Sequence, residues 1–144
     1  MKTKTTLLVL FVLWISHFSA NAQIIECSPA FPKVTDSVTI TFHADMGSKG
    51  LMDYTGDVYA HTGVLISSSS SPGDWKHAPT WPTNTAKYKL TKIADNTYQL
   101  KIKPSISEYY GVAQSETVTK LAFVFRNADG SKTGKGNGET DIFY

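Results

Sequence analysis

Ser37-Val38-Thr39-Ile40-Thr41-Phe42-His43 is the stretch that decides the fold. Apolar and polar residues alternate with period two, so Val38, Ile40 and Phe42 share one face of a strand and the polar side chains take the other. Working outward, Asp57 to Ile66 is a second extended run. Lys87 to Ile93 and Thr97 to Lys103 are two more, joined by Ala94-Asp95-Asn96 as a short hairpin turn. Thr117 to Arg126 holds the strongest apolar stretch, Leu121-Ala122-Phe123-Val124-Phe125, which suits a central strand buried on both faces. Asp141 to Tyr144 reads as a last strand. Residues 24 to 31 read as a first, kept at a sheet edge by Pro29 and Pro32. Pro104 to Gly111 breaks the rhythm and suits a helical turn. Seven short strands with polar turns predict an all-β fold, an immunoglobulin-like β-sandwich. The Cys…Trp…Cys core of antibody domains is missing, because Cys27 is the single cysteine.

The strands are preceded by a segment of another kind. Lys2 and Lys4 form a positive start, Leu7 to Phe18 is apolar and uncharged, and Ala20-Asn21-Ala22 puts small residues where a signal peptidase reads. Residues 1–22 are therefore expected to be a signal peptide, with cleavage before Gln23, and residues 23–144 a single domain at the cell surface or in the exterior. The apolar run is shorter than the roughly 20 residues of a spanning helix, and no other segment is long and apolar enough. Without the leader, Lys and Arg fall from 14 to 12 against 12 acidic residues. A neutral domain with one arginine, Arg126, is a poor partner for nucleic acid, which selects a basic face. Cys27 can form no internal disulfide and reads as a small apolar residue.

The loops carry the chemistry. They are expected at 45–56, 67–82 and 127–140. Trp14 belongs to the leader, so the domain keeps only Trp75 and Trp81, six residues apart in a loop stiffened by Pro72, Pro79 and Pro82. Large rings in such a loop are hard to bury. Exposed, they offer flat rigid faces on which the C–H face of a sugar stacks with little ordering cost; alternatively, one of them plugs the end of the sandwich. Tyr59 and His61 alternate on one strand and so share a side, pairing an aromatic plate with a hydrogen-bonding imidazole. Asn127 and Asp129 before Gly130 have a faint calcium-loop character, but the later acidic position does not fit an EF-hand, and a tight polar turn is the simpler reading. Neither a metal nor a cofactor is expected. The acids Asp45, Asp53, Asp57, Asp74 and Glu108 are scattered, with no nucleophile elbow, zinc helix or phosphate loop, so no catalytic residue is assigned.

Several of these motifs, in order, resemble a known domain. They are Asp53 to Val64, then Asp74-Trp75-Lys76, then Leu90 to Ile93 with Asn96-Thr97-Tyr98, and finally Phe123 to Gly130 with Gly138 to Phe143. They are similar to a domain at the N-terminus of exported α-amylase-like proteins of Bacteroidetes, itself similar to starch-binding modules of families 25 and 26 and to outer-membrane starch-binding proteins. The resemblance spans most of residues 30–144. It implies a non-catalytic α-glucan-binding module with Tyr59, His61 and Trp75 as the platform, Lys76 and Trp81 beside it, and Asn137 retained from the family's terminal turn. That turn otherwise departs from the family pattern, reading Lys132 to Asn137. The chain stops after the last expected strand, as either a free-standing binding protein or a piece of a larger glycoside hydrolase. The competing expectation is a structural or protein-interaction domain of such an enzyme.

Overall fold

The computed structural model describes residues 23–144; the expected signal peptide lies outside the described residues. Among the described residues there are eight strands: β1 (Ile25–Ser28), β2 (Val38–His43), β3 (Tyr59–Ile66), β4 (Thr91–Ala94), β5 (Thr97–Ile102), β6 (Val118–Arg126), β7 (Thr133–Gly134) and β8 (Ile142–Phe143). They form two antiparallel sheets. The first runs β1-β2-β5-β4; the second runs β3-β6, with β7 and β8 both pairing the far side of β6. The all-β sandwich read from the sequence is the observed fold.

The alternation in β2 explains the packing. Val38, Ile40 and Phe42 are all buried, and Tyr98, Leu100 and Ile102 of β5 lie beside them. The opposite sheet contributes Leu121, Phe123 and Phe125, and the Phe42 and Phe125 rings stack across the interior at 4.0 Å. In β3 the even-numbered residues Ala60, Val64 and Ile66 join this core, and Thr62 gives its hydroxyl to the Ala122 carbonyl at 2.8 Å. The odd-numbered residues Tyr59, His61, Gly63 and Leu65 therefore face away from it.

Two segments differ from expectation. Residues 86–88 form a 3-10 turn rather than the start of a strand, because Tyr88 swings inward to pack edge-on against Tyr109 and the Lys87 ammonium lies 4.5 Å over the Tyr109 ring. The strand begins only at Thr91. The turn expected within 127–140 contains β7, where Gly134 lets the backbone pass directly over Phe42: a Cβ there would lie 2.5 Å from the ring. The helical turn expected at 104–111 is α1 (Ile106–Tyr110), capped by the Ser105 hydroxyl on the Glu108 amide and ended by Gly111 at φ 70°. No described helix is long and apolar enough to cross a membrane. Cys27 packs partly buried against the core, and burial raises its thiol pKa.

Candidate functional site

The loop after β3 folds back across the outer face of the β3-β6 sheet. Its first turn is closed by its own side chains. The Ser69 hydroxyl accepts from the Ile66 amide and donates to the Asp74 carbonyl, while the Asp74 carboxylate takes the Ser70 amide at 2.9 Å and the Lys76 ammonium at 2.7 Å. The Lys76 ammonium and then the Ser70 amide hold the Asp74 carboxyl below its usual range. The serine run is thus a built turn rather than a solvated connector. Beyond it, Lys76 and Val64 exchange both backbone hydrogen bonds, at 2.8 and 3.0 Å, which clips the loop to the free edge of β3. Gly63 makes room for this: a Cβ would sit 2.9 Å from the Lys76 carbonyl oxygen and 3.0 Å from the Ala78 Cβ.

The clip delivers both indoles to His61. Trp75 stacks on the imidazole at 5.7 Å and 25°, and its Nε1 donates to the Pro72 carbonyl at 3.0 Å. Trp81 meets the same imidazole edge-on, at 5.0 Å and 74°. The two indole planes are therefore steeply inclined to one another. Trp75 is half-buried and Trp81 is 42% exposed. A fourth ring, Phe143 of β8, lies 6.4 Å from Trp75.

Arg126 fixes the Trp81 end. It lies opposite Tyr59 in the β3-β6 ladder and is completely buried. Its guanidinium sits between the Tyr59 ring, at 5.4 Å, and the Trp81 ring, at 5.2 Å. It donates to the Thr83 carbonyl, the Asn84 side-chain oxygen and the Asn127 and Ala128 carbonyls at 2.6–3.2 Å. Among the described residues no carboxylate pairs with it. Burial lowers its pKa, but an arginine remains charged throughout the physiological range. Trp81 also abuts Gly130, which at φ 76° has no Cβ to displace the ring. Asn127 and Asp129 are used within that turn, on Lys132 and Ser131. Among the described residues no three His, Cys, Asp or Glu side chains gather as a metal-ligand set.

His61 is held neutral in this setting. Burial lowers its pKa first, the Arg126 charge lowers it further, and Asp141 opposes both. Its Nδ1 is buried with no hydrogen-bond partner among the described residues. Because the folded-state pKa lies below the ordinary 6.5, the contribution of neutral His61 is full above that value and is lost as pH falls through the lower one. Melting temperatures should therefore drop between pH 7.5 and 5, and His61→Gln should shrink that drop; an unchanged drop would exclude His61 as its source.

Of the residues singled out from sequence, His61, Trp75 and Trp81 form one cluster. Tyr59 is on the same side, as alternation requires, but only 8% exposed: it lies against Arg126 and offers no open plate. Lys76 spends its ammonium on Asp74. Asn137 stands exposed outside the indole pair, in a groove beside Asp141, Phe143 and Tyr144. Sequence reasoning missed Arg126 and Phe143 as members. The signal for Arg126 was present: counting one residue on from inward Phe123 and Phe125 puts the lone arginine on the outer face.

A profile described as a domain of unknown function, DUF8578, matches residues 25–133. The chain belongs to this family. The DUF8578 match takes in β1 to β6, the tryptophan loop and Arg126, and ends short of Asn137, Asp141 and β8. No curated protein matches the chain. DUF8578 carries no assigned activity in its description, so function rests on the site itself.

Proposed function

We propose that this domain is an exported, non-catalytic carbohydrate-binding module, and that it holds α-glucan chains on Trp75, Trp81 and His61. The observation that carries the reading is the inclined indole pair, partly exposed and held in place by the Val64–Lys76 clip and by Arg126. Trp75 rests against His61, and Trp81 against Arg126, His61 and Gly130, while Trp81 keeps 42% of its surface exposed. A curved glucan presents successive rings at changing angles, which suits two inclined faces better than one flat plate. The buried Nδ1 of His61 leaves Nε2 as the nitrogen for a sugar hydroxyl. Binding then needs little loop ordering, which otherwise consumes much of the contact energy.

Native gels containing amylopectin test this. The wild-type protein should be retarded and Trp81→Ala should migrate freely, with a stability loss of only ~0.5–2 kcal/mol for the lost cation–π contact. Lack of retardation by amylopectin and glycogen alike would overturn the reading. The docking-domain alternative would then gain from Phe31, which is 96% exposed at the rim of an apolar groove with Val34, Ile106 and Val118.

A further inference from the structure

We infer that the binding site does not end at the tryptophans but continues over Phe143 into the groove beside β8, where Asp141 and Asn137 contact the hydroxyls of additional sugar units. This rests on the α-glucan reading above and adds the length of the ligand and the polar residues that measure it. Ring contacts run without interruption from Trp81 to His61, Trp75 and Phe143, in steps of 5.0, 5.7 and 6.4 Å. The row crosses the sheet from the β3 side to β8, because β3 and β8 pair opposite sides of β6.

Where the row ends, the surface changes character. A groove of about 460 Å³ opens between β8 and the start of β1, lined by Asn137, Asp141, Ile142, Phe143 and Tyr144 together with residues 23–25. Unlike the carboxylates of Asp74, Glu116 and Asp129, which are engaged by loop amides or side chains, the Asp141 carboxylate has no hydrogen-bond partner among the described residues. It is half-buried, and near enough to His61 to act on its charge state. The Asn137 side chain is exposed and uncommitted; only its backbone carbonyl is used, by the Thr140 hydroxyl. A carboxylate accepts from two vicinal hydroxyls, and an amide both donates and accepts. Together they complement the diol edge of a pyranose whose flat face rests on an aromatic ring.

Calorimetry with maltose and maltopentaose on the wild type, Asp141→Ala and Asn137→Ala tests the inference. Maltose should bind all three proteins within about twofold, and maltopentaose should bind the wild type at least tenfold more tightly than maltose, a step of about 1.4 kcal/mol. Asp141→Ala should remove most of that gain and Asn137→Ala part of it, with melting temperatures unchanged. Equal affinity of the wild type for both sugars, or a full gain retained in Asp141→Ala, would overturn the extended site and leave the tryptophan platform standing. If the wild type binds neither sugar, the α-glucan reading fails, and this inference with it.

Discussion

Arg126→Ala should lower the unfolding free energy by ~3–5 kcal/mol, because its acceptors each lose a charged donor, worth ~1.5–3 kcal/mol apiece and not fully additive. The guanidinium is completely buried and serves four acceptors on two separate loops. Alanine leaves the Thr83, Asn127 and Ala128 carbonyls without that donor and opens a space between Tyr59 and Trp81. Arg126→Lys keeps the charge, but a point ammonium cannot span the fork, so ~2 kcal/mol should still be lost. Both variants should also lose retardation in amylopectin, because Thr83 and Asn84 no longer hold the end of the loop. Urea unfolding measures the first effect and native gels the second. A stability loss under ~1 kcal/mol would mean that solvent already satisfies these acceptors.

Gly63→Val should have the largest effect on the platform itself. Its added atoms meet the Lys76 carbonyl and Ala78, which are backbone and a short side chain, so neither can swing aside. The loop must leave the edge of β3, breaking both Val64–Lys76 hydrogen bonds. The core below is untouched, since Gly63 faces outward. Expected are a stability loss of ~1–3 kcal/mol from overpacking, red-shifted tryptophan fluorescence, and complete loss of glucan retardation. Arg126→Ala and Gly63→Val thus release the loop from opposite ends. Retained binding in Gly63→Val would show that the clip does not position Trp75.

What could be read in advance follows physical range. The alternation of Val38, Ile40 and Phe42 is local, and it specified both the strand and its buried face. The pairing of Tyr59 with His61 on one side was equally local. Whether either remains open depends on partners far along the chain, and Arg126, 67 positions after Tyr59, is what covers that ring. The proline-stiffened loop marked Trp75 and Trp81 as special, but not the glycine that seats the loop on β3. Lys87 to Lys89 alternates like a strand yet turns, because burying Tyr88 against Tyr109 outweighs continuing the ladder. Phe143 joins the ring cluster only because β8 pairs β6 from the side opposite β3.

The β3-β6 sheet also leaves few backbone groups free at its margins. Lys76 and Lys89 bridge to β3 on one side, and β7 and β8 share the other. An exposed strand margin invites a neighbouring chain to add itself, which is how sheet proteins aggregate. Modules packed side by side along an insoluble polymer reach high local concentrations. On the proposed glucan reading, the face that meets the polymer is the one whose strand margins are largely bridged, so crowding there need not become aggregation.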